Sequence, residues 1–253
     1  MIFSMSKNLN MTGVGRKIGN FLINHLSYAD DMVLIAPSAK ALQVLLNVCD
    51  SFAKKNNVIY NTEKTKSMIF WPKVDVTDKA RFMLHGKVLK VVHEIKYLGV
   101  YIVSNLTDDR EMGIRVRAIY ASGNTIISKF KKCNDECKVL MFKTYCYSVY
   151  GISLWCSYRV TSFAKVKIAH NDIFRSLLNV NRWESASSLF VSNHTNNLDV
   201  ICRNSMYNLM ERLLGSNNTI IEALCNSDVR IHSKIWKRWA VALGVEWESI
   251  LMV

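Results

Sequence analysis

No acidic residue precedes Asp30, and over the whole chain 20 aspartates and glutamates face 33 lysines and arginines. The deficit leaves a formal charge of +13, which suits a polyanionic partner, nucleic acid or an anionic surface, without choosing between them. Long apolar runs are also missing. The longest uncharged stretch, Thr144 to Tyr158, contains several polar residues and falls short of the roughly 18 to 20 residues needed to span a bilayer, so no membrane span is expected. The first residues lack the basic head and the roughly 7 to 15 residue apolar core of a secretory signal. An intracellular location is expected, with nucleus and cytoplasm not distinguished. No cysteine framework is present: seven cysteines, an odd number, are scattered through apolar patterns and read as reduced, buried thiols. Cys133 and Cys137 come closest to metal spacing, but no second Cys or His pair completes a tetrahedral set.

Half of the 253 residues are hydrophobic, enough to bury a core in one large domain or two small ones. Residues 1–20, with Gly13, Gly15 and Gly19 around Arg16 and Lys17, read as a loop entering a strand. Phe21 to Ser27 and Met32 to Ala36 form a hairpin pattern around Tyr28-Ala29-Asp30-Asp31. Ser38 is a plausible N-cap, followed by Ala41, Leu42, Leu45, Val48, Cys49 and Phe52 at helical spacing up to about Lys55. Val58 to Tyr60, Ser67 to Trp71, Val88 to Val92 and Ile95 to Val103 read as strands, punctuated by Pro72 and His85-Gly86.

From Thr107, taken as a cap, the period turns helical through Met112, Val116, Ile119, Ile126, Ile127 and Phe130. Val139 to Trp155, Phe163 to Leu178 and Leu198 to Leu214 continue it, joined by loops such as 179–188 and 215–218. A tail with Trp236, Trp239 and Trp247 reads as a last short helix. The fold class is therefore α+β, with a mixed unit over 1–104 and a mainly helical region over 105–253.

Adjacent aspartates at a hairpin tip raise each other's pKa and are costly to desolvate as bare ions. A divalent cation removes both difficulties, since magnesium takes one or two carboxylates together with substrate phosphates. Asp-Asp is also ordinary turn chemistry. His25, beside the tip, alternates to a packing or hydrogen-bonding position rather than that of a base.

The stretch from Asn24 to Ser38, centred on Tyr28-Ala29-Asp30-Asp31, resembles the Tyr-Ala-Asp-Asp block of reverse transcriptases. Its flanks are similar to those of the non-LTR, LINE-type retrotransposon branch. The resemblance continues in order. Asn61 to Phe70 resembles the next block with its Asn-x-x-Lys core, although Asn56-Asn57 stands where a glycine is often found. Ile95 to Ile102 resembles the Tyr-Leu-Gly block that forms the primer grip. Phe142 to Cys146, Tyr150 to Trp155 and Asn171 to Arg175 resemble the helical region beyond the palm.

The resemblance implies the later palm of a right-hand polymerase, with short antiparallel strands and a helix, followed by a thumb-like region. It implies magnesium, an RNA template and a DNA primer, and two-metal nucleotidyl transfer. Asp30 would be a metal ligand, with Asp31 beside it. Tyr28 would lie near the primer terminus or template, and Tyr97, Leu98 and Gly99 would hold the primer. Lys64 would lie near the incoming phosphates or, equally, be a solvated lysine among Lys66 and Lys73.

The family's site also uses a carboxylate from an earlier palm strand, and nothing upstream of Asp30 can serve. Asp50, Asp75, Asp78, Asp108 and Asp109 read as surface acids or a helix cap. The expectation is the back half of a polymerase: inactive alone, a non-catalytic nucleic-acid-binding remnant, or completed by an upstream segment in trans. For binding, Lys129, Lys131 and Lys132, then Lys138 and Lys143, and later Arg230, Lys234, Lys237 and Arg238 beside Trp236 and Trp239, are candidates for contacting phosphates and stacking bases. Solvation of helix faces is the alternative for any one cluster.

Overall fold

The computed structural model describes residues 2–70, 81–147 and 149–244. Trp71, Pro72, Lys73, Asp75, Asp78 and Trp247 lie outside the described residues. The fold is mixed, with helices and small, mostly antiparallel sheets. It divides into two units, one of Met1–Ile95 with Ser216–Arg230, the other of Lys96–Gly215 with Ile231–Val253. The division falls earlier than the change of patterning at 104–105.

The first unit opens with α1 (Ile2–Met11), not with a loop. Met5 and Leu9, one helical turn apart, are both buried, but a single apolar pair among polar neighbours is a weak periodic signal. β1 (Arg16–Ile18) and β2 (Phe21–Ile23) form one antiparallel hairpin, and β3 (His25–Tyr28) and β4 (Asp31–Leu34) form the next. The run from Phe21 to Ser27 is thus two strands broken at Asn24, not one. α2 (Ala39–Asn56) starts as expected, with Ser38 Oγ accepting from Ala41 N at 3.2 Å. It packs Leu45, Leu46, Cys49 and Phe52 against Met5 and Leu9.

β5 (Lys66–Ser67) lies parallel to β7 (Lys87–Val91), which pairs antiparallel with β6 (Phe82–Leu84). β6 buries Phe82 and Leu84 in the same core, yet the sequence pattern does not reveal it. Conversely, Val58 to Tyr60 is not a strand. The His85-Gly86 turn has φ values of 51 and 72°, and Asp50 on α2 holds it. The Asp50 carboxylate accepts from His85 N at 3.2 Å, meets His85 Nδ1 at 2.7 Å and pairs with Lys54 at 2.8 Å. Asp50 is therefore a tie between α2 and the sheet, not a free surface acid, and its bond to Lys54 holds its carboxyl below the usual carboxylate range.

The second unit begins in the hairpin of β8 (Glu94–Tyr97) and β9 (Val100–Val103). The single strand expected over Ile95 to Val103 folds back on itself because Leu98 and Gly99 both take positive φ, at 46 and 81°. α3 (Asp109–Lys129) follows, buried along Met112, Ile119 and Ile126. Its cap position is Asp108 rather than Thr107, whose hydroxyl donates to Asn105 Oδ1 at 2.9 Å. The Asp108 carboxylate does not cap the helix. It accepts from Cys156 N and Ser157 N at 2.8 and 2.7 Å, and burial raises its pKa.

α4 (Asp135–Tyr145) is capped by Asn134 and ends well short of Trp155; beyond it, Gly151 at φ 79° leads into a 3-10 turn at Ile152–Leu154. α5 (Val160–Leu177) packs along α3, and the absent side chain of Gly123 makes room for Ile173. α6 (Ala186–Ser192) starts inside the stretch expected to be a loop, and α7 (Leu198–Leu214) lies where its period places it. α8 (Thr219–Cys225) belongs to the first unit, α9 (Val229–His232) spans the change, and α10 (Lys234–Leu243) belongs to the second. No described helix is long and apolar enough to cross a membrane. Cys49, Cys146, Cys202 and Cys225 are buried, whereas Cys133, Cys137 and Cys156 are half-buried.

His170, on α5, is fully enclosed by rings, with Phe142 at 4.9 Å, Phe190 at 5.4 Å and Tyr147 at 6.3 Å between centroids. Neither ring nitrogen has a hydrogen-bond partner, and desolvation lowers its pKa from 6.5 to about 4. Between those two values the unfolded chain binds a proton that the folded chain refuses. Stability therefore falls as pH drops from 6.5 towards about 4, by about 3 kcal/mol over the window. Denaturant titrations across that range should show the slope, and His170→Phe should flatten it.

Candidate functional site

The Asp-Asp hairpin is positioned from its base by Asn24, which is 1% exposed. Its amide donates to the carbonyls of Leu9 and Val14, each at 2.9 Å, tying the end of α1 and the loop after it to the start of β3. Gly15 allows this approach: a β-carbon there would come within 2.8 Å of Ile23 O and 2.9 Å of Asn24 Cβ. Asn24 Oδ1 lies 2.7 Å from His25 Nδ1, and His25 Nε2 lies 2.8 Å from Ser6 Oγ. Burial lowers the pKa of His25 and favours the neutral ring, so Nδ1–H donates to Asn24 and Nε2 accepts from Ser6. His25 is a hydrogen-bonding residue, as its alternation suggests.

The register runs from His25↔Leu34 to Tyr28↔Asp31, which leaves Ala29 and Asp30 as a two-residue loop. Such loops favour positive φ, and Ala29 adopts 49° despite its β-carbon. Tyr28 is 65% exposed, and Asp30 and Asp31 are exposed beside it. Neither aspartate forms an ion pair with a described residue. Two unpaired hard-oxygen donors on a short, register-fixed tip fit a divalent cation as a partial donor set. Among the described residues no group of three or more His, Cys, Asp or Glu side chains assembles.

Lys64 sits on a different turn. Asn61 Oδ1 accepts from Glu63 N and Lys64 N at 3.1 and 3.0 Å, and Asn61 O accepts from Thr65 N at 2.9 Å. The Asn-x-x-Lys core is thus an asparagine-capped turn that leaves Lys64 exposed. No hydrogen bond or ion pair joins Lys64 to the hairpin aspartates.

In the second unit, the turn of Tyr97, Leu98 and Gly99 is clamped by residues far along the chain. Tyr150 Oη donates to Leu98 O at 2.7 Å, and Arg115 Nη2 donates to Gly99 O at 3.0 Å. A β-carbon at Gly99 would lie 3.1 Å from the Tyr150 ring, over which the Arg115 guanidinium sits at 5.4 Å. Arg115 is itself held by Glu111, 1% exposed, whose second oxygen accepts from Tyr101 N at 2.9 Å. Sequence reasoning missed Glu111, Arg115 and Tyr150 as parts of this site. The i,i+4 spacing of Glu111 and Arg115 was a signal for the pair, but nothing local points it at Gly99.

Of the basic candidates, Lys129, Lys131 and Lys132 are exposed at the end of α3. Arg238 is turned inward, hydrogen-bonded to the Tyr158 hydroxyl with its guanidinium 5.2 Å from that ring. Trp236 and Trp239 are buried at 3 and 1% exposure, and Trp239 Nε1 donates to Ser153 O at 3.0 Å. These two indoles form core, so they do not stack bases.

The hairpin carboxylates, the asparagine turn and the clamped turn all fall in or beside one stretch with a family counterpart. Residues 5–102 match the family model of reverse transcriptase (RNA-dependent DNA polymerase). No curated protein and no solved structure matches the chain.

Two stability changes follow from this geometry. Arg115→Met strands the buried Glu111 and should cost about 3–5 kcal/mol in denaturant melts, part of which Glu111→Gln in the same chain restores. Ala29→Gly relieves the left-handed tip and should raise stability by up to about 1 kcal/mol with the hairpin register intact by NMR.

Proposed function

We propose that this chain is a reverse-transcriptase-like protein of the non-LTR, LINE-type branch, in which Asp30, with Asp31 in support, holds a divalent metal for nucleotidyl transfer. The observation that carries this reading is an unpaired, exposed aspartate pair at a two-residue hairpin tip, inside the stretch that matches reverse transcriptase. Residues 1–104, primer-grip strands included, act as the later palm, and the helices after them act as a thumb-like region. Bound magnesium would neutralise charge on the transferring phosphoryl group and lower the pKa of the primer hydroxyl. Tyr28 packs at the primer terminus, Tyr97, Leu98 and Gly99 hold the primer, and Lys64 offers a cation to incoming phosphates. Lys129, Lys131 and Lys132 are assigned to the RNA template and DNA primer; Arg238, turned inward onto Tyr158, is not.

Asp30 and Asp31 are a partial donor set among the described residues, which favours completion by a carboxylate from a further polymerase segment, on the same polypeptide or on another. Without such a segment, the chain acts as a non-catalytic nucleic-acid binder. Primer extension on an RNA template with magnesium tests both. The chain alone should extend little. Addition of a polypeptide carrying the earlier palm blocks of a related enzyme should produce extension, which Asp30→Ala lowers about a thousandfold. Extension that persists unchanged in Asp30→Ala would overturn the reading.

A further inference from the structure

Among the described residues β6 stands at the side of its sheet, paired with β7 alone. The register runs Phe82↔Leu89, Met83↔Val88 and Leu84↔Lys87 around the turn at His85 and Gly86. In such a hairpin the pair flanking the turn exchanges hydrogen bonds and the next pair does not. Phe82 and Leu84 therefore turn their backbone groups to β7, and Met83 points its N–H and C=O away from it. Met83 is thus the residue through which a further strand would add to β6. Both of its groups are taken by one side chain on α2. Met83 N donates to Gln43 Oε1 at 2.9 Å, and Gln43 Nε2 donates to Met83 O at 3.0 Å. The same Nε2 also donates to Asn47 Oδ1 at 2.8 Å, one turn further along the helix, which holds the amide in place.

We propose that Gln43 is a plug on the β6 edge: its amide occupies the place of a pairing strand and keeps β6 from joining β6 of a second copy of this chain. A carboxamide carries the same donor and acceptor as a peptide unit, and here it meets both groups of one residue. An edge strand left open is a template for pairing, so its outward groups need an occupant. A second copy is the partner this edge fits. In an antiparallel two-fold pair centred on Met83, the N–H and C=O of one Met83 meet the C=O and N–H of the other, so the edge is complementary to itself. Met83 at 41% exposure and Val88 at 58% lie opposite each other, and pairing of two copies would set two such apolar pairs side by side. Gln43 has no role in the nucleic-acid reading above, and the plug stands independently of it.

The test measures self-association of the full chain by sedimentation velocity over a wide concentration range, with hydrogen exchange of the Met83 amide as the second readout. Gln43→Ala removes the amide without adding apolar bulk or weakening the helix, and should associate about tenfold or more tightly than the wild type. In that variant the Met83 amide should exchange fast in dilute solution and slowly in concentrated solution, whereas in the wild type its exchange should not depend on concentration. Gln43→Glu keeps an acceptor for Met83 N and adds a charge at the edge, so it should associate no more than the wild type. Circular dichroism melts report whether each variant folds. Should Gln43→Ala melt below the assay temperature, Gln43→Asn, one methylene too short to span both groups, carries the same expectation. A folded Gln43→Ala or Gln43→Asn chain that associates no more tightly than the wild type overturns the plug. Association that leaves the Met83 amide exchanging equally fast at every concentration belongs to another surface and overturns it too. So does a Gln43→Glu chain that associates as tightly as Gln43→Ala.

Discussion

The side chain of Asn24 governs the part of the first unit on which the aspartate pair depends. One buried amide bridges the carbonyls of Leu9 and Val14, and its residue ends one hairpin and starts the next. Buried amides are costly unless all their groups are paired, and here the remaining oxygen is taken by His25. The same oxygen selects the His25 tautomer, and through it the bond to Ser6 on α1. A hairpin of four paired residues per strand is marginal by itself, so its register depends on this anchoring and on Met32 and Leu34 packing at the edge of the core.

The second unit solves a comparable problem by another route. Among the described residues no third strand braces its hairpin turn, and two carbonyls at its tip point to side chains on α3 and beyond α4. The cost of burying Glu111 is offset by an arginine and a backbone donor that take both its oxygens. Charge is thereby spent on rigidity rather than on solubility. That use of charge is unexpected in a chain whose composition reads mainly as a basic surface.

What the sequence makes legible follows the range of the interactions. α2, α5 and α7 were readable because a long helix repeats its apolar face several times, and Ser38 marks its own helix start. The two aspartates at the tip were readable because hairpin register follows from a two-residue loop. α1, β6 and α6 were not readable: each is short, and each is stabilised by burial against elements distant in sequence. Ile95 to Val103 reads as one strand because both halves are rich in strand formers, and only Gly99 hints that the chain reverses. The inward turn of Trp236 and Trp239 was equally hidden, since an aromatic beside lysines reads the same whether it faces solvent or core.

The contacts at Leu98 and Gly99 bear on where this protein can be cut. The family match ends at residue 102, yet the groups that hold the turn lie at Glu111, Arg115 and Tyr150. An excised segment bounded by the match would carry the turn without its holders, its backbone carbonyls returned to water and its glycine free to wander. The region of family likeness and the stretch that holds this turn are therefore different lengths of chain, and a segment that keeps the turn braced extends at least to Tyr150.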